Sequence, residues 1–141
     1  MIVFIGCGKK KKNYKCKAMD MYIGNYFTTC LEFARKLVSD RNIFILSAKY
    51  GVIHLNDIII PYEKTLKNMN KHDCEEWNKK IYKQLRNSGI NKEEKVIAIC
   101  GKKYRQALLN YFDHVHVPTF MNNGIGIQMS YMKKIMKGET N

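Results

Sequence analysis

Cys7 stands between two glycines, Gly6 and Gly8, and a run of lysines from Lys9 to Lys12 follows it at once. A thiolate among ammonium groups and backbone dipoles has a lowered pKa and becomes a potential nucleophile. The same residue equally suits packing as a small side chain at a strand end. Three further segments combine glycine with polar, basic or aromatic residues: Ser47-Ala48-Lys49-Tyr50-Gly51, Cys100-Gly101-Lys102-Lys103-Tyr104 and Gly124-Ile125-Gly126-Ile127-Gln128. Glycines let backbone N–H groups approach a ligand, while lysines and helix N-termini supply positive potential. Gly6, Gly8, Lys9, Lys10, Ser47, Lys49, Gly101, Gly124 and Gly126 are therefore candidates for holding phosphate or another anion, with Gln128 orienting the ligand. Glu63, in Pro61-Tyr62-Glu63, is the carboxylate that accompanies them. It suits an acid, a base or a stabiliser of positive charge on a sugar, or it simply pairs with a neighbouring lysine. Tyr50, Tyr62 and Tyr104 are candidates to stack on a base or bind phosphate, although tyrosine is often amphipathic packing.

Standard phosphate and metal patterns do not fit. G-x-x-x-x-G-K-[ST] is absent, and a dinucleotide fingerprint starting at Gly6 would need a glycine where Lys11 stands. Cys7, Cys16, Cys30, Cys74 and Cys100 form no C-x-x-C pair, and His54, His72, His114 and His116 lack ligand spacing. No metal or organic cofactor is implied. Without an apolar run long enough to span a bilayer or an N-terminal segment long enough for a signal peptide, reduced thiols in a cytoplasmic protein are expected, with no membrane partner.

The elements that must carry these residues follow from hydrophobic periodicity. Strands are predicted at Ile2–Ile5, Ile43–Leu46, Lys95–Cys100 and His114–Val117, the first two as continuous apolar runs. Helices are predicted from Ala18 to Ser39 with a break at Gly24, from an Asn70 N-cap to Ser88-Gly89, from Lys102 to Tyr111, and from Ile125 to Met136. Residues 52 to 66 read as irregular, with room for an extra edge strand between 52 and 60. Strands alternating with helices imply one three-layer, Rossmann-like α/β domain over residues 1–141, with a mostly parallel sheet of four or five strands. In such a sheet each glycine-bearing segment after a strand lies at the carboxyl edge, where open α/β folds bind ligands. Cys7, Lys9, Lys49, Tyr50, Glu63 and Gly126 are accordingly expected to line one pocket.

The formal charge of +13 favours an anionic partner, either a phosphate-bearing small molecule or nucleic acid. Arginine, which usually joins lysine in reading phosphates and bases, occurs only at Arg35, Arg41, Arg86 and Arg105. The lysine excess fits AT-rich coding as well as it fits function.

Taken together, Gly6-Cys7-Gly8-Lys9-Lys10-Lys11, Ile45-Leu46-Ser47-Ala48-Lys49-Tyr50-Gly51-Val52, Pro61-Tyr62-Glu63-Lys64-Thr65-Leu66, Gly101-Lys102-Lys103-Tyr104 and Gly124-Ile125-Gly126-Ile127-Gln128 resemble a family of small, largely uncharacterised bacterial and phage proteins. Gly6 stands where that family usually has serine, and Ile127 where an acidic residue is common. The cysteine-lysine loop is also distantly similar to that of the peroxide-stress protein family and of an archaeosine synthase domain, which implies DNA or modified nucleobases as the field of action. The expectation is an enzyme acting on a nucleotide, nucleobase or nucleic acid, at an N-glycosidic bond or modified base, as a hydrolase or transferase. In it Glu63, Cys7 and Lys49 would be the catalytic candidates. The alternatives are a non-catalytic nucleic-acid-binding protein and a phage-type protein that sequesters a nucleotide signal. An enzyme should gather lysines and carboxylate in a cleft, whereas a binder should spread its lysines along a stripe.

Overall fold

The computed structural model describes residues 1–138. In chain order these form β1 (Ile2–Gly6), β2 (Cys16–Lys17), α1 (Ala18–Met21), α2 (Asn25–Leu37), β3 (Ile43–Ser47), β4 (Gly51–His54), β5 (Ile58–Ile59), α3 (Lys71–Ser88), β6 (Lys95–Ile99), α4 (Lys102–Tyr111), β7 (His114–His116) and α5 (Ile125–Met136). The main sheet has five strands in the order β4-β3-β1-β6-β7. All neighbours pair in parallel except β3 and β4. α2 and α5 pack together on one side of it, and α3 and α4 pack together on the other, which gives the expected three layers.

The central strands are apolar throughout because both faces are covered. Val3, Phe4, Ile5, Ile43, Ile45 and Leu46 are fully buried. Phe4 stacks on Phe44 at 5.4 Å between ring centroids and tilts against Phe112 at 5.9 Å. α3 begins as its sequence suggests, with the Asn70 side chain accepting the Asp73 N–H at 2.8 Å, and ends at Gly89 with φ of 76°. Trp77, Ile81 and Leu85 form its buried face. The predicted helix break at Gly24 is real: Gly24 is the N-cap of α2.

The room for an extra edge strand between 52 and 60 is filled, and one pairing in this stretch goes beyond the sequence reading. β4 returns antiparallel to β3 as the extra edge strand, and β5 pairs with β2 in a separate two-stranded ribbon. Consequently Ser47–Gly51 is the tip of a tight hairpin, with Ser47 paired to Gly51. Gly51 adopts φ of 78°, and a Cβ there would fall 2.2 Å from Gln84 Oε1. Gln84 uses that space: its Oε1 accepts the Val52 N–H and its Nε2 donates to the Tyr50 carbonyl, both at 2.8 Å. The hairpin tip is thereby fastened to α3.

The order of the strands also locates a crevice. From β1 the chain moves outward to β3 and β4, then crosses back to β6 on the other side of β1. The carboxyl ends of β1 and β6 are therefore the topological switch point.

Candidate active site

The carboxyl ends of β1, β3 and β6 bring three of the glycine-bearing segments to one edge of the sheet, since these strands are adjacent and parallel. Gly6 closes β1 against β6, and a Cβ on it would lie 3.3 Å from Cys100 Cβ. The Cys7 N–H donates to the Leu46 carbonyl at 3.0 Å, tying this loop to β3. Its thiol donates to the Tyr104 hydroxyl at 3.4 Å. That hydroxyl also receives the Leu66 N–H at 3.5 Å, and the Tyr104 ring meets the Trp77 ring edge-on at 5.5 Å. Lys103 adds contacts to the carbonyls of Leu66 and Lys67 at 3.2 and 3.3 Å. α4 thus pins the segment that carries Glu63.

Beneath this edge runs a chain of buried hydroxyls. Ser47 Oγ donates to Tyr62 OH at 2.8 Å, and Tyr62 OH and Tyr22 OH are hydrogen-bonded at 2.7 Å. Ser47 Oγ in turn accepts the N–H groups of Lys49 and Tyr50 at 3.2 and 3.0 Å, which shapes the hairpin tip. Burial raises Tyr22, Tyr62 and Tyr104 well above the usual phenol pKa, so all three remain protonated.

Above the tyrosines lies Lys11, a residue that sequence reasoning did not separate from the rest of its lysine run. Its Nζ sits 4.4 Å from the Tyr62 ring centroid and 5.8 Å from that of Tyr22. It also donates to the Lys9 carbonyl at 3.3 Å. Burial lowers its pKa below the ordinary lysine value; Cys7 and then Glu63 act in the opposite direction, so the ammonium lies within electrostatic reach of the thiol and of the carboxylate. Lys9 and Lys10, the lysines singled out from sequence, are exposed.

Beside this group a cleft of about 510 Å³ opens between the hairpin tip, the Glu63 segment and α3. Ala48, Lys49, Glu63, Lys64, Thr65 and Trp77 line it, together with Asn68, Met69, Asp73, Glu76 and Lys80. Glu63 and Lys49 therefore share a cleft. Cys7, Lys9, Tyr50 and Gly126 do not line it, so the single pocket expected from sequence is narrower than predicted. Trp77 and Lys80 were not among the sequence candidates, although Trp77 is the only tryptophan in the chain.

The remaining candidates are placed as follows. Tyr50 OH bridges the Ile60 N–H and carbonyl at 3.1 and 3.2 Å, so its hydroxyl fastens the hairpin to the strap behind β5. Gly8 packs against Phe27 and Tyr22. Gly101 is the exposed N-cap of α4, and Gly124 that of α5, with Gly126 exposed in its first turn. Gln128 is buried and accepts the Tyr26 hydroxyl while its amide donates to the Asn123 carbonyl at 2.7 Å and the Met121 carbonyl at 3.5 Å. Its polar atoms hold α5 to α2 and shape the turn before it.

The carboxyl edge therefore offers a partly buried amine and a thiol above a neutral hydroxyl chain, with a carboxylate in the cleft beside them. Among the described residues no cluster of His, Cys, Asp or Glu has the makings of a metal site, and no helix is long and apolar enough to cross a membrane. A family model described as "Family of unknown function (DUF6884)" matches residues 2–134. No curated protein matches the chain.

Proposed function

This chain belongs to the DUF6884 family of unknown function, and from that premise we propose that it is an enzyme acting on a nucleotide or nucleobase at an N-glycosidic bond. One observation carries the reading: Glu63 shares the cleft with Lys49, Lys64 and Lys80 while lying in electrostatic reach of Lys11. Breaking a glycosidic bond leaves positive charge on the sugar, and a carboxylate stabilises that charge where a thiol does not. Glu63 faces the reacting carbon in this scheme. Lysines around the cleft hold anionic groups, and water or a second base receives the sugar. Lysines and carboxylates lining one cleft favour an enzyme over a stripe-like nucleic-acid binder.

Cys7 takes a supporting part. Its thiol already serves the Tyr104 hydroxyl, and its N–H serves Leu46. No histidine bonds to it to act as the base a thiol nucleophile requires. The test is turnover of a nucleotide and nucleoside library, read by mass spectrometry. Glu63→Gln keeps shape and removes charge, so it should lower turnover by at least about 100-fold with ligand binding nearly intact. Cys7→Ala should retain substantial turnover. An inactive Cys7→Ala beside an active Glu63→Gln points instead to covalent thiol catalysis. Ligand retention without any turnover by the unmodified protein points to sequestration.

A further inference from the structure

The cleft carries a charge arrangement that a glycosidic reaction by itself does not require. Lys64 and Lys80 both line it, and neither lies within ion-pair distance of a carboxylate among the described residues. Lys80 Nζ donates to the Lys49 carbonyl at 2.6 Å, which anchors its ammonium at the hairpin tip. Its pKa is lowered first by burial and then by Lys64, so the two ammonium groups are close enough to repel. Both side chains are exposed, but one ammonium is tethered and partly screened from water with a like charge beside it, and a group carrying two negative charges would relieve both penalties. A phosphate monoester carries about −1.5 to −2 charge at neutral pH.

The opposite side of the balance is also present. Glu63, Asp73 and Glu76 line the same cleft, and Glu76 is already paired with Lys79 at 3.2 Å. Ionised carboxylates accept hydrogen bonds only, which matches sugar hydroxyls and repels a second phosphate. A volume of about 510 Å³ suits a small molecule rather than a polymer strand.

The geometry points to a phosphate subsite at Lys64 and Lys80 that takes the phosphate of a nucleoside monophosphate, with the sugar toward Glu63 and Asp73. Lys9 and Lys10 lie outside it. This assignment rests on the cleft being the substrate site, but it concerns binding and needs no turnover. A Glu63→Gln protein without an activity defect would therefore remove the glycosidic reading and leave this subsite open to measurement.

Calorimetric titration of the full chain with the common ribonucleoside 5′-monophosphates and the matching nucleosides tests it. At least one monophosphate should bind about tenfold or more tightly than its nucleoside, with the advantage shrinking as salt rises. Lys64→Met and Lys80→Met should each remove most of that advantage, and Lys9→Met should leave it. Lys64 is exposed and makes no hydrogen bond among the described residues, so its variant decides the matter if Lys80→Met proves poorly folded in a thermal melt. Equal binding of nucleoside and monophosphate overturns the subsite. So does loss of the advantage in Lys9→Met but not Lys64→Met, or binding of duplex DNA with no monophosphate binding at millimolar concentration.

Discussion

Removing a single oxygen with Tyr62→Phe should disable the hydroxyl chain under the site. Tyr62 OH accepts from Ser47 Oγ at 2.8 Å and bonds Tyr22 OH at 2.7 Å. Ser47 and Tyr22 are 0% and 2% exposed, so water does not readily replace the lost partner. Tyr22 OH loses its hydrogen bond, and the Ser47 hydroxyl proton loses its acceptor, although Ser47 Oγ still receives two backbone N–H groups. A buried polar group left without a partner costs about 1–3 kcal/mol, and because Ser47 keeps two of its partners the two together should cost about 2–4 kcal/mol. With roughly 2.1 cal/mol/K of unfolding entropy per residue over 141 residues, Tm should fall by about 7–13 °C. Urea unfolding followed by the fluorescence of Trp77 is the natural assay, because its indole N–H donates to the Ser47 carbonyl at 3.0 Å and so reports on the same hairpin. A cycle with Tyr22→Phe sharpens the result: that change should be costly in the unmodified protein and nearly neutral beside Tyr62→Phe, because its partner has already gone. A loss below about 0.5 kcal/mol for Tyr62→Phe, against the 1–3 kcal/mol of one orphaned group, would refute the chain as a cooperative unit. Strict additivity of the two variants would do the same.

Gly51→Ala should lose about 2–4 kcal/mol, from a side chain forced into φ of 78° and from displacing Gln84, whose Oε1 sits 2.2 Å from the new Cβ; chemical denaturation measures it, and undiminished stability would contradict the clasp. Stability should also fall at alkaline pH. Burial pushes the Cys30 and Cys100 thiols up to about 12 and raises Tyr22, Tyr26, Tyr62 and Tyr104. The folded chain holds these protons more tightly than the unfolded one, so their contribution is complete below the unfolded thiol pKa near 8.5 and declines above it, joined by the phenols above about 10. Each titrating group steepens the decline by up to about 1.4 kcal/mol per pH unit, and urea midpoints that stay level from about pH 8 to 10.5 would show that these groups are not protected by the fold.

The central strands were legible because burial on both faces writes them as unbroken apolar runs, as in Ile2–Ile5 and Ile43–Leu46. The break at Gly24 and the start of α3 at Asn70 were equally plain, since capping and helix interruption depend on residues a few positions apart. With those elements in order, the carboxyl-edge location of Cys7, Ser47, Lys49 and Tyr104 followed from the direction of parallel strands. The pairing of β2 with β5 left no trace, because two-residue strands have no period and such pairing joins residues distant in sequence. The hairpin at Ser47–Gly51 lacked a diagnostic turn pair and was read as an open loop; Gln84 on α3, 33 positions after Gly51, completes it. Local sequence likewise does not distinguish Lys11 from Lys9 and Lys10, or mark Lys64 and Lys80 as neighbours. Which lysine packs over Tyr62, and which ammonium groups line one cleft, depends on side chains meeting from separate elements, and the tertiary structure alone decides it.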